Sequence, residues 1–324
     1  MPCPSRCVAV MTFLACARCT GQVSLNRPTK LNALNMGMFR AILKATKELQ
    51  VVALTPPHRT PTPLHGLGTH TRASLPAHFA RTHPWPLQQD RDVAAVILRG
   101  EGRAFCAGLD FKNVLSDPLS FKTNFHELMD REPGGSVANL VQAVGYNWKK
   151  VPAPVICVMH GVCFGGGLQI ALGADFRYTA PDCQFSVMES KWGLVPDMSA
   201  SVTLRELVPI DVAKELTMTH RIFNGAEAKE LGLVTRVCDD PMAEALALAK
   251  DIASKSPDAV AAAKRLYNKT YALNDRQALE LESELQTKLI LGWNNVASVA
   301  KGFGVPDFLA PKKSKRNEYW HKDQ

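Results

Sequence analysis

Two apolar runs of strand length, each passing directly into a glycine-bearing turn, constrain this chain more than any other feature. Val93 to Leu98 (V-A-A-V-I-L) contains no polar residue and leads at once into Arg99-Gly100-Glu101-Gly102. Val155 to Met159 follows Pro152 and Pro154 and leads through His160-Gly161 to Gly165-Gly166-Gly167 and a helical stretch, Leu168 to Gly173. A strand with no polar face must be covered on both sides, which is the situation of a parallel sheet layered with helices. A third buried segment, Phe176 to Thr179, continues the pattern, so the chain is expected to be α/β.

The remaining chain is mostly helical. Leu31, Leu34, Met38, Ile42, Ala45 and Leu49 fall three, four or seven apart and predict an amphipathic helix. Ser256-Pro257 opens a helix through Tyr271, and another runs from about Asp275 to Leu291. Between the first helix and the first buried run, residues 51 to 89 hold seven prolines, five of the nine histidines and no acid. Pro56-Pro57, Pro61, Pro63, Pro84 and Pro86 exclude regular structure there, and the segment reads as an inserted, largely disordered loop. The histidines are irregularly spaced and have no carboxylate beside them, so no metal site is expected.

Charge excludes one class of function. Of the net charge of +8, residues 1 to 89 supply +9 and the rest −1, so the body carries no basic face for a phosphate backbone and nucleic acid is not an expected partner. Four of nine cysteines crowd the start, but the apolar run Val8 to Ala17 separates Cys3 and Cys7 from Cys16 and Cys19, which counts against zinc. That run, ending Ala15-Cys16-Ala17, imitates a secretory signal; it also suits a first β-strand with a ragged start. The acid-free front end fits an organelle transit peptide, and the expected location is mitochondrial or peroxisomal in a eukaryote, cytoplasmic otherwise. No stretch of about 20 apolar residues is present to span a membrane.

Glycine-bearing turns after buried strands can aim backbone N–H groups at one point above a sheet edge, and two converging donors make an oxyanion hole. The two turns here are A-F-C-A-G-L-D, Ala104 to Asp110, and H-G-V-C-F-G-G-G-L-Q-I-A, His160 to Ala171. Neither has the G-x-G-x-x-G spacing of a dinucleotide site, and no phosphate loop occurs. Together with L-N-R-P-T-K-L-N-A-L (Leu25 to Leu34) and S-V-M-E-S-K-W-G-L-V-P-D (Ser186 to Asp197), they stand in the order found in crotonases. The chain thus resembles the crotonase (enoyl-CoA hydratase/isomerase) superfamily over about Gly21 to Leu49 and Asp90 to Leu309.

The resemblance implies a ββα spiral over residues 21 to 254, broken by the insert at 51 to 89, after an N-terminal extension, 1 to 20. A helical region and basic tail, 255 to 324, would build homotrimers or homohexamers. The implied substrate is an acyl-CoA thioester, with no further cofactor. By the same resemblance Ala107 and Gly166 supply the oxyanion donors, and Ala107, Gly108, Leu109 and Asp110 line the CoA channel.

Hydratases of the family generally use two glutamates, but the matching positions here are Gln169 and Glu189. A glutamine amide can orient water or bind substrate; it cannot shuttle a proton near neutral pH. Asp197, eight residues beyond Glu189, resembles an aspartate of the dienoyl-CoA isomerase branch, although that branch also has an acid where Gln169 stands. Asp197 also suits an N-cap ahead of Met198 to Leu207. The expectation is double-bond isomerisation of an enoyl- or dienoyl-CoA by Glu189 and Asp197. Hydration by Glu189 with Gln169 orienting water, and non-catalytic acyl-CoA binding, are the alternatives.

A proline-rich insert buries little, and loop closure depends only weakly on length. Deleting Val51 to Gln88 is expected to leave a soluble oligomer, measurable by size-exclusion chromatography; aggregation where the parent stays soluble would contradict the insert reading.

Overall fold

The computed structural model describes residues 10–14, 20–51, 93–114, 118–131 and 136–306. The four N-terminal cysteines, the proline-rich insert beyond Val51 and the basic tail lie outside those residues.

Strands β1 (Val10–Leu14), β2 (Thr20–Leu25), β3 (Ala95–Gly100), β4 (Val155–Met159), β6 (Phe176–Thr179) and β8 (Arg236–Val237) form one sheet in the order β1-β2-β3-β4-β6-β8. The β1–β2 pair is antiparallel and the rest is parallel. Within the ambiguous apolar run at the start, residues 10–14 are therefore a strand. Strands β5 (Val162–Phe164) and β7 (Gln184–Ser186) make a second, parallel pair, and Cys106 bridges Cys163 beside it. The successive pairs β4–β5 and β6–β7 thus each lay one strand on the large sheet and the next on the small one.

The apolar runs are explained by the two faces of the large sheet. Ala95 and Ile97 of β3, with Ile156 and Val158 of β4, pack toward Ala245 and Ala249 of helix α9 (Pro241–Ala253). Val96, Leu98, Val155 and Cys157 face the main core on the other side. Alternating residues meet different layers, and neither layer is water.

The main core is closed by α1 (Met36–Val51), the short α2 (Phe111–Val114), α3 (Pro118–Met129), α4 (Leu140–Tyr146) and α5 (Gly166–Leu172). Helix α1 begins five residues later than the apolar spacing predicts, because Leu31 and Asn32 take left-handed conformations, with φ of 47° and 55°. Leu34, Met38, Ile42, Ala45 and Leu49 nonetheless form its buried stripe. After the site follow α6 (Ala200–Thr203), α7 (Ile210–Thr219) and α8 (Gly225–Glu230), then α9. The chain ends in α10 (Pro257–Thr270), α11 (Asp275–Leu289) and α12 (Trp293–Gly302), of which α10 and α11 share a small core of Ala261, Ala262 and Leu285.

A buried cation pins α10 to the body. Lys264 Nζ donates to the carbonyls of Trp148 (2.9 Å) and Ala153 (3.2 Å) and lies 2.6 Å from Asp175, whose carboxylate also accepts from the Val155 N–H. Removing one member of a buried ion pair leaves the other uncompensated, at about 3–5 kcal/mol. Lys264→Ala is expected to lose that much stability by denaturant titration, and a loss below about 1 kcal/mol would show that α10 is not held this way.

Candidate active site

The turn after β3 is braced from below by the segment that precedes α1. Asn32 donates through Nδ2 to the carbonyls of Glu101 and Ala104, both at 2.8 Å, and its Oδ1 accepts the Arg27 N–H at 2.7 Å. The buried Arg27 guanidinium holds the Ala33 carbonyl and pairs with Asp110 at 3.0 Å. The other Asp110 oxygen accepts from the Asn113 N–H at 3.3 Å. Asp110, expected to line the substrate channel, has both carboxylate oxygens engaged in this frame.

The same frame decides which N–H of the turn is available. The Ala107 N–H donates to the Leu31 carbonyl at 3.0 Å, and the Asp110 N–H to Leu34 at 2.9 Å. The Gly108 N–H faces the Cys106 sulfur; that buried thiol is pushed up to about 12 by desolvation and donates to the Asn32 carbonyl. Ala107, expected as an oxyanion donor, is excluded by its bond to Leu31. The Leu109 N–H has no partner among the described residues.

Gly108 brings that N–H beside the second turn. Its φ is +89°, and a Cβ there would stand 3.1 Å from the Phe164 carbonyl oxygen and 3.9 Å from the Gly166 nitrogen. Gly166 opens α5, where an N–H has no intrahelical acceptor, and nothing else described takes it. Gly166 also lies under Met198, whose sulfur a Cβ would meet at 2.6 Å. The Leu109 and Gly166 N–H groups, one from each turn, are thus close and unengaged, and the helix end adds a field that favours negative charge.

Glu189 starts a 3-10 turn, Glu189–Trp192, and is buried. Its Oε1 accepts from Gln169 Nε2 at 2.6 Å, while its Oε2 is buried without a partner. Desolvation raises its pKa above the ordinary glutamate value; backbone N–H groups and Gln169 offset this in part, and the charge of Asp197 raises it further. Asp197 is partly buried, and desolvation raises its pKa as well, against its own backbone N–H. The N-cap reading of Asp197 does not hold. Helix α6 begins at Ala200, its N-cap is Ser199 at φ 74°, and no side chain bonds there.

The structure therefore brings Leu109, Gly166, Gln169, Glu189 and Asp197 together and moves Ala107 and Asp110 into the frame beneath. Sequence reasoning missed Arg27 and Asn32, although both stand in the quoted L-N-R-P-T-K-L-N segment. It also missed the Phe111–Trp192 pair, with ring centroids 4.7 Å apart, which links the two site loops. Among the described residues no cluster of three His, Cys, Asp or Glu side chains offers a metal site, and no helix is long and apolar enough to cross a membrane.

Residues 85–302 match the family model for enoyl-CoA hydratase/isomerase. A Mycobacterium tuberculosis enoyl-CoA hydratase is 31% identical over 209 residues, covering 63% of this chain and 74% of that protein. The mitochondrial Delta(3,5)-Delta(2,4)-dienoyl-CoA isomerase of Rattus norvegicus is 29% identical over 288 residues, covering 83% and 73%. An enoyl-CoA hydratase structure from Bacillus anthracis superposes with a TM-score of 0.71 at 21% identity, over 94% of this chain and 99% of that one, which shows a shared fold. The chain belongs to the enoyl-CoA hydratase/isomerase family and is an enzyme of the crotonase superfamily.

Proposed function

We propose that this enzyme moves double bonds along an enoyl- or dienoyl-CoA of fatty-acid β-oxidation, through a thioester enolate held by the Leu109 and Gly166 N–H groups. Glu189 and Asp197 carry the protons. The observation that supports this best is the buried, unpartnered Oε2 of Glu189, with a second desolvated acid near enough to perturb its titration. In a 3,5-dienoyl thioester, one acid in its ionised form takes a proton from C2. The electron pair moves onto the thioester oxygen, where two N–H donors in a dry site stabilise it. As the pair returns through the conjugated system, the other acid gives a proton to C6 and the double bonds settle at C2 and C4. The two acids end with exchanged protonation and reset by proton exchange with water, which reaches the partly exposed Asp197.

In a 3-enoyl thioester the proton travels only from C2 to C4, and Glu189 can carry it alone. Hydration is the second reading, favoured by hydratases among the relatives. Against it stands the amide of Gln169, whose carbonyl oxygen already accepts two N–H groups and which can neither take a proton from water nor deliver one. We also propose assembly through the C-terminal helices, supported by Leu291 and Phe303, which are 82% and 85% exposed in the single chain.

Glu189→Gln is expected to keep acyl-CoA binding and lose at least about a hundredfold in turnover, the scale of general acid–base catalysis. Full activity in that variant would remove Glu189 from the chemistry.

Asp197→Asn is expected to fold normally and to fail mainly on 3,5-dienoyl-CoA. On 3-enoyl-CoA its pH profile carries a sign. A charged Asp197 disfavours the ionised form of Glu189, so removing that charge lowers the Glu189 pKa and moves the acidic limb of kcat/KM to lower pH. A limb that stays in place or moves upward would show that Asp197 does not act on Glu189.

A further inference from the structure

Gln169 occupies the position where hydratases of the family place a carboxylate, and its surroundings give the amide a definite task. It is 2% exposed and projects from α5, every residue of which is buried. Its Oε1 accepts the Met198 N–H at 2.7 Å and the Ala200 N–H at 3.3 Å. Its Nε2 donates to Glu189 Oε1 at 2.6 Å. Two backbone donors at one end and a carboxylate at the other leave only one orientation of the amide; the flipped form would set N–H against N–H and oxygen against oxygen.

We propose that Gln169 is a positioning residue that locks the two acids into one frame and fixes Oε2 of Glu189 as the oxygen that exchanges protons. The inference rests on the two-acid reading above and assigns what sets the acids. A permanent donor on Oε1 favours the ionised carboxylate and directs its proton to Oε2. The other end of the amide holds the backbone on both sides of Ser199, whose φ of 74° shapes the loop that delivers Asp197. Met198, the first residue held, is the immediate neighbour of Asp197. The base of the clamp is itself fixed, since the Gly165 N–H donates to the Ser186 carbonyl at 2.9 Å.

A carboxylate would keep the two acceptor bonds and reverse the third. It would face Glu189 oxygen to oxygen, and the pair would share a proton or separate. An amide combines acceptor and donor ends in a group that does not titrate near neutral pH, so Glu189 keeps a donor at every working pH.

The test measures kcat/KM on 3-enoyl-CoA across pH for the parent, Gln169→Glu and Gln169→Met, with thermal midpoints and binding of a non-reactive acyl-CoA thioether. Gln169→Glu is expected to move the acidic limb upward by about one unit or more, through the added negative charge. Thioether affinity should stay within about threefold of the parent, because the substrate's N–H donors are untouched. Gln169→Met removes both ends of the clamp and is expected to lose at least about tenfold in kcat on both 3-enoyl- and 3,5-dienoyl-CoA, the scale of one misplaced catalytic group. An unmoved limb in Gln169→Glu, with Glu189→Gln still inactive, would overturn the clamp and leave the two-acid reading standing. Full activity in Glu189→Gln would instead remove the reading on which it rests. A purely structural Gln169 would lower the midpoint of both variants and leave the limb where it was.

Discussion

Where the turn at Gly108 meets the turn at Gly165, backbone approaches backbone more closely than a side chain at Gly108 would ordinarily allow. A methyl group on Gly108 would press on the Phe164 carbonyl, and one on Gly166 would overlap the Met198 sulfur. This contact puts the Leu109 N–H beside the Gly166 N–H, and the bridge between Cys106 and Cys163 of β5 holds the two turns side by side. Neither donor depends on its side chain; both depend on the absence of a neighbour's.

The frame under the first turn explains why, between Ala107 and Asp110, the Leu109 N–H is left without a partner among the described residues. Asn32, in a left-handed conformation, and Arg27, just before the 3-10 turn Pro28–Lys30, take up the carbonyls of Ala33, Glu101 and Ala104, while Leu31 and Leu34 accept from Ala107 and Asp110. A buried arginine facing a nearly buried aspartate would be a liability if either were unpaired. Here the pair is closed, and it stiffens the donor end of the site as Gln169 stiffens the acid end.

Much of the fold was legible because it rests on local pattern. The run Val93 to Leu98 leads into a strand buried on both faces that starts two residues later, at Ala95, and runs on to Gly100, while Val155 to Met159 and Phe176 to Thr179 are strands with the bounds expected. Gly166, Gln169, Glu189 and Asp197 were legible only through the resemblance to crotonases, since each stands in one of the motifs that carry it. The Ala107 N–H proved to be engaged because sequence marks the turn, while the N–H groups left open within it are decided by carbonyls from Leu31 and Leu34, about 75 positions away on another segment. The bracing of Asp110 was not legible for the same reason, since its partner Arg27 lies 83 positions earlier. The cap assignment of Asp197 failed because Ser199 turns left-handed and delays α6 to Ala200, a departure no residue propensity announces.

On the reading proposed above, a site with a glutamine in place of one carboxylate, and a second acid eight residues beyond Glu189, moves double bonds in preference to adding water. The most direct measurement incubates the unaltered enzyme in parallel with 2-enoyl-, 3-enoyl- and 3,5-dienoyl-CoA and follows products by mass and ultraviolet absorbance. Double-bond movement gives products of unchanged mass from the 3-enoyl and 3,5-dienoyl substrates, with new conjugation to the thioester, and leaves water addition to the 2-enoyl substrate slow. Fast hydration of 2-enoyl-CoA, with the other two substrates unchanged, would contradict it.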